Sequence, residues 1–135
     1  MRRKVVIIVI VWVVTMLLLL GAYALFDNLF PKAQPINRLE INMLESVRMC
    51  DNEDNEIVIS DGQLQELISY INDAVPTRTM SVNDYPDVKP YYMIELKTTE
   101  RVFRYMIYED YGTVYAELPY EGVYEIDREA VEIFK

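Results

Sequence analysis

The sequence contains no histidine and a single cysteine, Cys50, among its 135 residues. Without histidine there is no Ser-His-Asp or Cys-His nucleophile system, no imidazole-bound zinc and no side chain whose ordinary titration falls near neutral pH. One cysteine cannot form an internal disulfide or a Cys-x-x-Cys redox pair. Cys50 is expected as a buried thiol, with dimerisation or simple exposure as the alternatives. Glycine is scarce, at four residues, and no Gly-rich phosphate loop or nucleophile elbow occurs.

Positive charge is also in short supply, with 13 Lys and Arg against 22 Asp and Glu. Arg2, Arg3 and Lys4 account for three of the basic residues, leaving ten against 22 in residues 27–135, a net charge there of about −12. Such a domain repels phosphate backbones, which excludes nucleic acid as a partner. It is also repelled by anionic headgroups and suits a cationic partner.

Charge is missing altogether from Val5 to Phe26. At about 1.5 Å per residue a helix of this run spans roughly 33 Å, against a hydrocarbon core of about 30 Å. No polar face interrupts it, as one would in an amphipathic globular helix. The lipid bilayer is therefore an expected partner, through residues 5–26. Arg2, Arg3 and Lys4 lie before the run and Asp27 after it, so the basic end is expected in the cytoplasm and residues 27–135 outside. The alternative is secretion after cleavage near Ala24, because Ala22-Tyr23-Ala24 has the small-x-small form of a processing site. The run is longer than the roughly 7–15 apolar residues of a signal peptide, which favours an uncleaved single-pass anchor. No cysteine follows it closely, so a lipoprotein anchor at that point is excluded.

The expected organisation is a cytoplasmic stretch 1–4, an anchor 5–26, a linker 27–37 and an extracytoplasmic domain 38–135. Pro31 and Pro35 favour extended backbone in the linker. The domain is large enough for one core and too small for two. From Arg38, Leu39, Ile41, Met43, Val47 and Met49 alternate as in a strand, with Glu45 breaking the series. Asp51–Asn55 reads as a turn and Glu56–Ile59 as a second short strand.

Ser60, with Gln63 three residues on, forms a capping box. Leu64, Leu67, Ile68 and Ile71 then make one apolar face of a helix of about 12 residues, which Pro76 ends. Residues 77–90 are irregular and long for a connection, the kind of segment that is either functional or packed down. Alternation predicts strands around 91–97, 102–108, 113–117 and 123–126, with Gly112 free to take positive φ in one turn. Asp127 is placed to cap a terminal helix to about Phe134. The fold class is α+β: a transmembrane helix, then a mostly antiparallel sheet in the order ββαββββα with one covering helix and a short C-terminal helix. Eight of the 11 tyrosines lie between Tyr91 and Tyr124, so the outer sheet face is expected to be tyrosine-rich.

Two blocks carry a family likeness: Pro76-Thr77-Arg78 with Ser81-Val82-Asn83-Asp84 and Pro86, and Glu117-Leu118-Pro119-Tyr120-Glu121-Gly122-Val123-Tyr124-Glu125-Ile126. Together with the Ile59-Ser60-Asp61 helix start, they resemble the small membrane-anchored extracytoplasmic proteins of Gram-positive bacteria that share a domain of unknown function. The resemblance covers roughly residues 38–135. It implies fold and location and brings no catalytic residues.

The candidate ligand- or partner-binding residues are Arg78, Ser81, Asn83, Asp84, Glu117 and Tyr120. They offer donors and acceptors from one loop and one turn, fit for a protein, a peptide or a cell-wall fragment. The alternative for the same residues is a structural clasp, with Ser81 and Asn83 satisfying turn backbone and the prolines fixing bends.

Asp51 to Glu56 has alternating oxygen ligands, but Glu56 and Gly62 stand where a calcium loop needs Gly and Glu, so it reads as a solvated turn. Paired carboxylates such as Asp84 and Glu117 are the only catalytic pattern, and sequence gives no separation for them. No metal, no cofactor and no catalytic residue are expected. The function expected is a non-catalytic binding or accessory module at the cell surface. The alternatives are a membrane-tethered inhibitor or immunity-type protein and a small histidine-independent hydrolase.

Overall fold

Apolar residues in unbroken series build α1, Arg2–Leu29, 28 residues long and extending the expected anchor by a turn's fraction at either end. It is long and apolar enough to cross a membrane, and a signal sequence meets the same test. The computed structural model describes residues 2–135. It divides into two compact units, one up to Lys32 and the other from Ala33 to Lys135.

The second unit is α+β, a six-stranded antiparallel sheet with helices. Its strands are β1 (Leu44–Asp51), β2 (Val75–Pro76), β3 (Tyr91–Thr98), β4 (Val102–Asp110), β5 (Thr113–Leu118) and β6 (Gly122–Ile126). Their spatial order is β1-β3-β4-β5-β6-β2. The hairpins from β3 to β6 follow from the alternation of their residues and the short turns between them. At one turn Tyr111 and Gly112 both take positive φ, at 47° and 80°.

The first strand begins at Leu44 and not near Arg38, because Ile41–Met43 forms a turn of 3₁₀ helix. Its register on β3 slips between Leu44 and Ser46, at the Glu45 that interrupts the apolar series. The expected second strand over 56–59 is a correction: it reduces to one bridge, Cys50 to Glu56, with Ile57 N–H donating to Met49. Ile57 and Ile59 still pack on the core while Val58 is 87% exposed. The strand that replaces it in the sheet is the two-residue β2, paired to β6.

Helix α2 (Asp61–Asn72) starts at Ser60, whose side chain accepts from Gln63 N–H while the Gln63 side chain accepts from Ser60 N–H. Its Leu67, Ile68 and Ile71 are buried with Ile94, Leu96, Tyr105, Ile107, Ala116 and Tyr124 on one sheet face. Burial of each Leu or Ile side chain among them contributes about 1.5–3 kcal/mol. Helix α3 (Glu129–Glu132) is a single turn, with Asp127 accepting from Glu129 N–H at 2.9 Å. Its Ala130 and Val131 join the same core.

The latter part of the expected linker is docked on this unit. Ala33 is buried and donates its N–H to Thr77, and the Tyr124 hydroxyl donates to Gln34 at 2.7 Å. Asn72 uses both ends of its amide on the Leu39 backbone, at 2.8 and 2.9 Å. The Gly122 backbone lies so close to Ala33 that an added Cβ would meet the Ala33 Cβ at 2.5 Å.

Candidate functional site

The face of the sheet opposite α2 is organised in rows that the strand registers set. The central row runs Cys50, Met93, Met106, Glu117, Val123 across five strands. On one side lies Tyr91, Tyr108, Tyr115, and on the other Arg48, Glu95, Arg104. In the charged row Glu95 accepts from Arg104 at 2.6 and 3.0 Å and sits 3.5 Å from Arg48. Such exposed pairs contribute roughly 0.2–1 kcal/mol each. In the tyrosine row Tyr108 and Tyr115 pack at 5.7 Å, and Tyr85 from the 77–90 loop stacks on Tyr91 at 6.0 Å.

The loop 77–90 is tied to this face. Its first residues zip onto β6: Thr77 N–H and Oγ1 both bond Val123 O, at 3.0 and 2.6 Å, and Val123 N–H donates to Thr79 at 3.1 Å. Its Ser81 and Pro86 are buried, and its Val88 packs against Cys50, Tyr91, Met93, Met106 and Tyr108. A loop this long is held by packing and by its own polar side chains, as an ordered Ω-like segment requires.

Glu117 is 7% exposed, a carboxylate in an apolar row. Burying it requires hydrogen-bond donors. The Ser81 hydroxyl donates to Glu117 Oε1 at 2.6 Å, and the Tyr108 hydroxyl lies against the same carboxylate. Burial first, and then the Glu117 charge, push the Tyr108 phenol above its ordinary titration range. A second bond crosses at the rim, where the Tyr120 hydroxyl donates to Asp84 at 3.0 Å. That bond raises the Tyr120 phenol, because the carboxylate favours the protonated donor.

Tyr120 is 64% exposed and has φ of +64°. Pro119 precedes it and Glu121 N–H closes on Leu118 O at 3.0 Å, the pattern of a type II turn. Glycine or asparagine is the ordinary occupant of that place, so a tyrosine there holds strain of order 1 kcal/mol.

Of the six residues expected as a site, the fold joins Ser81 to Glu117 in the interior and Asp84 to Tyr120 at the surface. Arg78 is half-buried near the start of the loop and Asn83 is exposed on it. The Asp51 carboxylate accepts from Glu53 and Asn55 within its own turn, at 2.8 and 2.9 Å. Those bonds pull it below the usual carboxylate range, the Asn55 contribution being the largest. Among the described residues no group of three or more Cys, Asp or Glu side chains is gathered as a metal ion would require.

The outer face carries Tyr91, Tyr108 and Tyr115, but Tyr105 and Tyr124 lie fully inside, under α2. Tyr105 holds a feature that pattern reading does not detect: its buried hydroxyl has no hydrogen-bond partner among the described residues. Burial raises its titration well above the ordinary range. An unmade bond of this kind costs about 1–3 kcal/mol. The alternation of Phe103, Tyr105 and Ile107 marks the inward face, and only the assembled neighbours reveal the missing partner.

Over residues 28–125 the sequence matches the DUF5301 family, described as a domain of unknown function (DUF5300). The fold is similar to the NMR structure of a protein from Ruminococcus gnavus, with 27% identity and a TM-score of 0.53, over 68% of this chain and 90% of that one. No curated protein matches.

Proposed function

The chain belongs to the DUF5301 family, a domain of unknown function, and we propose that it is a non-catalytic binding module held outside the cell by an uncleaved single-pass anchor. The basic residues Arg2, Arg3 and Lys4 and the apolar length of Arg2–Leu29 support the anchor. The net charge of about −12 after it, from ten basic and 22 acidic residues, suits a domain that stays off the anionic membrane surface.

Tyr120 carries the binding reading. An exposed aromatic side chain occupies a turn position that disfavours it, and its hydroxyl is fixed by Asp84. Rigid tyrosines at a polar rim supply contact area at small entropic cost. Asn83, exposed, stands next to Asp84 in the same loop. Ser81 and Glu117 satisfy each other in the interior, at 4% and 7% exposure, and it is this burial that argues against a catalytic role.

The test is a photo-crosslinking residue at Tyr120 in living cells. A single specific adduct is the expected result. Its absence, with the protein present in the membrane at normal level, overturns the binding reading. Protease added to intact spheroplasts should remove residues 27–135, and protection until permeabilisation would reverse the orientation.

A further inference from the structure

The unpaired Tyr105 hydroxyl belongs to a second place on the domain, separate from the Tyr120 rim. Tyr105 lines the floor of a pocket of about 610 Å³ between the extended segment 34–38 and the ends of β4 and β5. That volume falls within the roughly 300–1,000 Å³ of small-molecule sites.

Two arginines, Arg38 and Arg101, line this pocket, and neither forms an ion pair among the described residues. In a domain so rich in carboxylates, two unpaired guanidinium groups on one pocket leave the attraction for an anion unspent. The Arg101 guanidinium lies over the Phe103 ring, 4.0 Å from its centroid. The ring holds the cation without consuming its N–H donors. Phe103 and Leu118 add apolar wall, and Glu121 adds one negative charge at the same pocket. Arg101 and Glu121 both act electrostatically on the Tyr105 hydroxyl, with opposite sign.

We propose that this pocket binds the free carboxylate end of a short apolar peptide. The carboxylate takes N–H donors from Arg101 and Arg38 and the O–H of Tyr105. An apolar side chain lies on Phe103 and Leu118, and the ammonium group of the peptide faces Glu121. A planar carboxylate matches the guanidinium fork. Glu121 disfavours a doubly charged phosphate in the same volume and favours a zwitterion. The hydroxyl is closed off from solvent, so the ligand reaches it only where the 34–38 segment gives way, a segment exposed except for the half-buried Ile36 and held by the Tyr124 bond to Gln34.

The experiment uses the full chain in nanodiscs of zwitterionic lipid, titrated calorimetrically with leucyl-leucine and with its C-terminal amide. Leucyl-leucine should bind saturably, and the amide about tenfold more weakly, because the charge-assisted bonds are lost. Arg101→Gln should weaken leucyl-leucine by about tenfold and Tyr105→Phe by about threefold or more. Arg101 is exposed, so its variant carries the test even if the core variant does not fold. No binding at about 10 mM, equal binding of acid and amide, or undiminished binding by Arg101→Gln overturns the proposal. Undiminished binding by a folded Tyr105→Phe does so too, and would assign the hydroxyl to a buried water. A negative titration beside a specific Tyr120 adduct would sink this pocket alone and leave the binding reading standing.

Discussion

Ser81 and Glu117 are 36 residues apart in sequence and 2.6 Å apart at their oxygens, in a contact closed to solvent. One hydroxyl thus fastens the longest irregular segment of the domain to the middle of the sheet. Ser81→Ala leaves the carboxylate short of a donor and should destabilise the fold by about 1–3 kcal/mol. Chemical denaturation reads this directly. A change below about 0.5 kcal/mol, the level of an ordinary surface substitution, would mean that the loop is held by packing alone.

Gly122 is required by the approach of Ala33. An alanine at 122 sets its Cβ 2.5 Å from the Ala33 Cβ, so Gly122→Ala should cost about 1–3 kcal/mol through overpacking. Ala33→Gly in the same chain should restore most of the loss. If the double variant is no more stable than Gly122→Ala, the close approach is not the cause.

Tyr120→Gly separates strain from contact. Glycine accepts the positive φ of that turn, so relief of strain should offset the lost Asp84 bond and leave stability within about 1 kcal/mol of the parent. Association with the partner captured at this turn should fall by tenfold or more, the range of an aromatic anchor. A co-precipitation yield unchanged by the substitution would remove Tyr120 from the interface.

Tyr105, Tyr108, Tyr91 and Tyr124 all titrate above their ordinary range, each chiefly through burial. A phenol whose folded value is raised stays protonated after the unfolded chain has begun to ionise. Stability from these groups is therefore fully present below about pH 10 and falls as pH rises beyond it. Thermal unfolding should show a plateau at neutral pH and a steep loss above about pH 10. The share of phenolate absorbance that belongs to these four rings should appear only together with unfolding, and ionisation of all 11 tyrosines before unfolding would mean that these rings are not sealed.

Much of the sheet could be read directly from residue order. The alternating residues of 91–126 define both faces of four strands, and Ser60 with Gln63 marks the start of α2. Ile57 and Ile59 face inward with Val58 out, which is the pattern of a strand, yet inward packing alone satisfies it and the backbone pairs only at Glu56. The two residues of β2 are too few to show any period, and they pair because the chain leaving α2 is zipped to β6.

The loop and turn residues expected as a site do meet in part, but sequence could not tell an interior bond from a rim bond. That depends on which side of β5 faces the loop and on how deeply Ser81 is drawn in. The Tyr105 pocket depends on the docked segment 34–38, which composition presents as a plain tether.

Cys50 is the chain's one thiol, and it lies 2% exposed at the β1 end of the central row, paired with Met93 of β3. A maleimide given to the folded protein will find it silent while the sheet is closed, and burial, by keeping it protonated, slows the reaction further. Alkylation then proceeds at the pace at which the domain breathes. The molecule carries its own clock for local opening, readable without an added label site.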